Sequence, residues 1–224
     1  MQIISGNLNY SSWSIRGVLV ARASGLDIPE KIVPLGFPET REELIATTGL
    51  HTVPVLMDGE LIIRDSLAIA ETLAEKAEAG KVWPKDANKR ALARSVCAEM
   101  HSGFFALRSQ MPVNIRAQSP SPEIEGDLKT DIERVLKIWS DLRARYSGDG
   151  EFLFGDWSAA DAFYAPVVTR FRTYGYELSG ELREYSDAVW ESNLLKALRS
   201  EAEAEPWEIR MGDTGPLYAW IRED

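Results

Sequence analysis

Residues 49–66 read GLHTVPVLMDGELIIRDS, and the residue types in this stretch predict strand, turn, strand and helix start in quick succession. Val53-Pro54-Val55-Leu56 is an apolar run interrupted by a proline. Proline has no N–H for a ladder, so it belongs at an edge, at the head of a strand or in a cis turn. Asp58-Gly59 between two apolar runs is a hairpin signal. Arg64-Asp65-Ser66 then places polar groups where the spacing of Leu67, Ile69, Ala70, Leu73 and Ala74 turns helical. A turn at the proline leaves backbone groups of Val53 available, and Ser66 at a helix start aims its amide and hydroxyl at an anion. The stretch therefore predicts two jaws of a site for a small, peptide-like ligand that carries a carboxylate.

Working outward, residues 2–5 predict a short strand and residues 6–10 the loop after it. Ser11, Ser12, Trp13 and Ser14 precede a helical pattern of Ile15, Val18 and Leu19, which Gly25 stops. Residues 28–35 give a second short strand between Pro29 and Pro34, and residues 38–48 a weak helix. Strand, helix, strand implies a right-handed crossover with parallel pairing, so the hairpin of residues 53–57 and 60–63 joins antiparallel at an edge. Residues 66–77 close this half as a helix. Gly80, Pro84 and polar neighbours mark a boundary, giving an α/β unit with a mixed four-stranded sheet over residues 1–79 and an all-α unit over residues 87–224.

In the second unit, residues 87–111 read as one long helix ended by Pro112. On a continuous helix His101, Phe104, Phe105 and Arg108 share one broad face, either a partly buried core face with a surface arginine or the wall of a second pocket. Residues 123–146 predict the next helix. Ser158-Ala159-Ala160-Asp161 is a capping signature before an apolar helix over residues 162–171 that contains Pro166. Helices over residues 179–185 and 187–204 follow, and the tail of residues 206–224, with Trp207, Leu217, Tyr218 and Trp220, is expected to pack back as an irregular cover.

The net charge of -10 opposes nucleic acid and anionic membranes, because counterion release needs clustered lysine and arginine. A lone cysteine, Cys97, excludes an internal disulfide scaffold and a two-cysteine redox motif, and points to the cytosol. No stretch has the apolar length to span a bilayer, and the first residues lack a secretory pattern. Two distant histidines and one cysteine offer no metal-ligand spacing, so no metal is expected.

Ser11 and Ser12 stand where a strand gives way to a helix. They are either plain caps or hydroxyls that hold a thiolate, lowering its pKa by hydrogen bonding to the charged form. The thiol would come from a cofactor. A serine hydrolase fits badly, since there is no G-x-S-x-G elbow and only His51 and His101 are available as a base. His51 beside Val53-Pro54 is either a solvated loop residue or a ligand contact.

The segments NYSSWSIR, VPVL, RDSLAIAETL and FGDWSAADAFYAPV, in this order and spacing, resemble the cytosolic glutathione S-transferase family over essentially the whole chain, closest to its serine-type zeta and theta classes. The resemblance implies a thioredoxin-like first domain and an all-helical second one. It implies glutathione as co-substrate, with Val53 and cis Pro54 pairing its cysteinyl part, Asp65 and Ser66 gripping its γ-glutamyl end, and Ser11, or its neighbour Ser12, activating its thiol. His51-Thr52 departs from the polar pair of many relatives, which leaves His51 as a candidate for the glycine end. Between the domains, an electrophile pocket would draw on Tyr10, Trp13, Phe104, Phe105, Arg108 and Met111. The implied activity is thiol transfer to a hydrophobic or aromatic electrophile. Alternatives are a keto-diacid isomerase like maleylacetoacetate isomerase and a non-catalytic glutathione-binding protein. A cytoplasmic homodimer is the implied assembly.

Overall fold

The structure, a computed structural model, describes residues 1–209. Leu217, Tyr218 and Trp220 of the expected tail cover lie outside the described residues. The first half runs β1 (Gln2–Ser5), α1 (Ser12–Ala23), β2 (Glu30–Ile32), α2 (Thr40–Thr48), β3 (Val55–Asp58), β4 (Leu61–Arg64) and α3 (Ser66–Lys76). The strands lie in the order β2-β1-β3-β4, with β1 and β2 parallel and the other pairs antiparallel. Alternation along β1 explains the two layers of helix. Ile3 faces the large core with Ile15, Leu19, Leu56 and Ile69 of α1, β3 and α3. Ile4 points the other way, into a small cluster with Val33, Leu44 and Val55 under α2. Each fully buried isoleucine contributes about 1.5–3 kcal/mol, so a one-residue register slip would forfeit both faces.

The second half is helical: α4 (Ala87–Ser102), α5 (Phe105–Gln110), α6 (Gly126–Tyr146), α7 (Ala159–Thr173), α8 (Gly180–Glu191) and α9 (Asn193–Ala204). Among the described residues no helix is long and apolar enough to cross a membrane. The molecule thus joins a thioredoxin-like four-stranded domain to an all-helical bundle, as expected. One apolar cluster passes from Ile3 through α1 and α7 to Ala202, so the two halves share a core. α7 lies at its centre and is buried along nearly its whole length despite Pro166. Its start is the predicted capping box: Asp161 accepts the Ser158 N–H at 2.9 Å while Ser158 caps in return. Asp161 also accepts from the Leu153 N–H and the Tyr185 hydroxyl, and burial pushes its carboxyl up to about 6.

Two helix expectations need correction. Residues 87–111 are not one helix: the chain leaves α4 at Gly103, passes through Phe104 with φ 62°, and restarts as α5. A left-handed phenylalanine costs about 1–2 kcal/mol. Burial of its ring, worth about 1.5–3 kcal/mol, and a bond from the Leu107 N–H to Asp131 of α6 at 3.0 Å offset that cost. The shared face therefore dissolves, with Phe104 turned inward and Phe105 71% exposed. Further on, the break falls at Ser192 rather than near Asp187, because Ser192 caps α9 through the Leu195 N–H.

Candidate active site

The Val53–Pro54 peptide bond is cis, and both residues precede the first paired residue of β3, Val55. α1 passes so close to this turn that a Cβ on Gly17 would stand 2.8 Å from Pro54 carbons. Glycine at that position is what lets the first helix pack on the proline.

Ser11 is the N-cap of α1, its hydroxyl oxygen accepting the Ser14 N–H at 3.2 Å. That bond uses a lone pair and leaves the Ser11 proton to donate. Ser14, one turn in, accepts the Gly6 N–H at 2.8 Å and so ties the helix to the exit of β1. Both Ser11 and Ser12 are buried.

At the other jaw Asp65 adopts φ 80° and caps α3, Oδ1 accepting the Leu67 N–H at 2.8 Å and the Ala68 N–H at 3.4 Å. Its Oδ2 meets Nε2 of His101, from the end of α4, at 3.2 Å. Beside it the Ser66 hydroxyl is fully buried with no hydrogen-bond partner among the described residues.

A cleft of about 820 Å³ separates these elements from the helical half. Trp13, Thr52, Val53, Pro54, Arg64 and Asp65 form one wall. Phe105, Ala106, Arg108, Ser109 and Gln110 of α5, with Asp127 of α6, form the other. The structure thus brings Val53, Pro54, Asp65, Trp13, Phe105 and Arg108 together. Ser11, Ser12 and Ser66 stand outside the lining, Ser12 next to Trp13 and Ser66 next to Asp65 in the chain. His51 is exposed and also outside the lining.

Tyr10, Phe104 and Met111 take other places. Phe104 and Met111 are core residues. The Tyr10 hydroxyl accepts from Arg116 at 3.1 Å and from the Ile209 N–H at 3.2 Å, holding the ring against the end of the described chain. Arg108 reaches the cleft only in part. It is 5% exposed, donates to the Met100 and His101 carbonyls at the end of α4, and lies over the Trp13 ring at 5.2 Å. Its charge answers a helix C-terminus and an aromatic face.

Sequence reasoning missed three things. His101 is visible in the sequence, but nothing local to it signals its approach to Asp65. Arg64 lay within the quoted stretch, one residue before the cap. A clamp from the helical half had no local signal: Glu205 accepts the Leu8 N–H at 2.6 Å and the Asn9 N–H at 3.3 Å, in the loop that leads to Ser11. Arg116 donates to the Glu205 and Trp207 carbonyls at 2.8 and 2.7 Å and completes it. Burial raises the Glu205 carboxyl above its usual range.

Two family models match the chain: the glutathione S-transferase N-terminal domain over residues 7–81 and the C-terminal domain over residues 125–223. Together they span well over half of it. The chain belongs to the glutathione S-transferase family. Among relatives of this glutathione S-transferase family member, Glutathione S-transferase 1 of Dianthus caryophyllus is 29% identical over 183 residues, 80% of this chain and 81% of the relative. Two solved structures share the fold. The holo structure of maleyl pyruvate isomerase, a bacterial zeta-class glutathione S-transferase, superposes with a TM-score of 0.69 at 22% identity, covering 93% of this chain and 100% of that one. A glutathione transferase homolog from Burkholderia, crystallised with bound glutathione, gives 0.67 at 22% identity, over 91% and 98%.

Proposed function

We propose that the chain is a glutathione transferase whose first 79 residues grip glutathione and whose helical half forms the wall met by the electrophile. The observation that carries this reading is the convergence of Val53, cis Pro54 and Asp65 on one cleft, next to a buried Ser66 hydroxyl with no partner among the described residues. Those groups fit glutathione. An orphaned hydroxyl at the start of α3 suits a carboxylate, the Asp65 carboxylate suits an ammonium, and the backbone of Val53 suits a peptide. Glutathione would supply a thiol nucleophile. Ser11 donates its hydroxyl proton to the sulfur, which favours the thiolate and lowers the thiol pKa. Trp13 and Phe105 present apolar faces to the electrophile and limit water around it. Ser12 is the alternative donor.

A thiolate absorbance titration of the glutathione complex tests this. Ser11→Ala should raise the bound thiol pKa by about 1–2 units and Ser12→Ala should not. Equal pKa values in all three proteins would overturn serine activation.

A second reading has one observation of its own. Arg64 lines the cleft, and a cation there suits a diacid. Under that reading the enzyme isomerises a cis-unsaturated keto-diacid, so turnover of such a diacid, but not of chloro-aromatics, would select it. A homodimer belongs to the first reading. The exposed Leu61 and Ile62 on the edge strand β4 support it, and sedimentation of the purified protein tests it.

A further inference from the structure

His101 is a titratable residue beside the site that the proposed transfer leaves unused. It crosses from the helical half to the cap of α3, Nε2 standing 3.2 Å from Asp65 Oδ2. Its ring meets Trp13 edge-on with centroids 5.1 Å apart. Nδ1 is buried with no hydrogen-bond partner among the described residues. An imidazolium needs an acceptor for each of its two N–H groups, and here only one is provided.

The influences on the ring are opposed, and those against the charged form prevail. Burial disfavours the charged form, Asp65 from the α3 cap favours it, and Arg16 from α1 and Arg108 from α5 oppose it. Together they hold the imidazole below its ordinary 6.5. Near neutral pH the ring is neutral and adds no positive charge beside the Asp65 carboxylate, whose Oδ2 stands 3.2 Å from Nε2.

We propose that His101 is a positioning residue for ligand recognition: it orients Asp65 toward the ligand's ammonium, and when it gains a proton it cancels the charge that the ammonium needs. This rests on the reading of Asp65 as the ammonium acceptor. Asp65 Oδ1 is engaged by the helix cap, so Oδ2 is the oxygen that His101 and an ammonium would share. Protonation and binding then oppose each other. By linkage, acid weakens the ligand and the ligand lowers the His101 pKa.

The test uses S-methylglutathione, whose blocked thiol separates binding from catalysis and whose own groups do not titrate between about pH 5 and pH 8. Calorimetry on the wild type should show Kd rising about tenfold from about pH 8 to about pH 5. His101→Gln keeps an N–H donor without a titration, so its Kd should match the wild type at the upper pH and stay flat. Histidine-ring NMR supplies a second readout, because the chain has only 2 histidines and His51→Gln assigns them. The His101 resonance should titrate below 6.5 in the free protein and lower still with S-methylglutathione. Identical pH profiles in wild type and His101→Gln, or a His101 titration that the ligand does not move, would overturn the inference while leaving the glutathione reading intact. Failure of S-methylglutathione to bind the wild type at either pH would overturn both.

Discussion

The two walls of the cleft are held in different ways. The wall from the first half is fixed by its backbone shape: a cis turn at Pro54, an Asp65 with φ 80° whose side chain caps α3, and a glycine that lets α1 touch the turn. The wall from the helical half is side chains on α5, a helix of 6 residues that follows a break at Gly103 and Phe104 and carries the exposed ring of Phe105. Backbone geometry admits few substitutions, whereas side chains on a short helix can change while the fold persists. The difference suits one wall to a constant ligand and the other to a variable one.

The strongest way to break the comparison is at Gly17. In Gly17→Ala the new Cβ lies 2.8 Å from Pro54 Cβ and Cγ, a ring that cannot swing aside. The expected cost is about 2–3 kcal/mol, read as a lower urea midpoint, with loss of glutathione binding at native concentrations of denaturant-free protein. If the variant keeps wild-type stability and affinity, the first wall is more adaptable than its geometry implies.

Glu205 sharpens the comparison, because here the helical half holds the first wall. Glu205→Ala leaves the N–H groups of Leu8 and Asn9 without their acceptor, at a cost of about 2 kcal/mol, and slackens the loop before Ser11. The pH dependence has a definite sign. A carboxyl whose folded pKa is raised contributes stability that is complete below its unfolded value, near 4.5, and is lost as pH rises through the folded value. Thermal unfolding across that acidic window should therefore show less loss of stability with rising pH in Glu205→Ala than in the wild type. Parallel curves would remove Glu205 from the linkage.

The first wall was also the more legible one. Asp58-Gly59 and Val53-Pro54 are turn chemistry, decided by neighbours within a few residues, and each appears where the pattern places it; so, in the helical half, does the Ser158 to Asp161 capping box of α7. The break between α4 and α5 is hidden in the sequence, because Met100, Phe104 and Leu107 keep helical spacing across it. What stabilises the break is Asp131, which lies 24 residues on from Leu107. The pocket residues followed suit: Tyr10, Phe104 and Met111 are apolar or aromatic like Phe105, and only tertiary packing sends them to the core or to Arg116 instead of to the cleft. Glu205 stands 197 residues from Leu8, beyond the reach of any local pattern.

Phe105 gives the smallest expected effect and the cleanest separation of the walls. Its ring is 71% exposed, so little apolar area returns to water when it is removed, and Phe105→Ala should change stability by no more than about 0.5 kcal/mol. The same ring lines the cleft opposite Pro54 and Trp13, where an apolar electrophile would cover it. KM for an aromatic electrophile should then rise about tenfold, while KM for glutathione stays at the wild-type value, because none of the groups proposed to grip glutathione is on α5. Equal loss for both substrates would mean that α5 also shapes the glutathione jaw, through the Arg108 guanidinium that lies over both Trp13 and Phe105. In that case the two walls would act as one unit, and the constant and variable parts of the site would have to be sought elsewhere in the cleft.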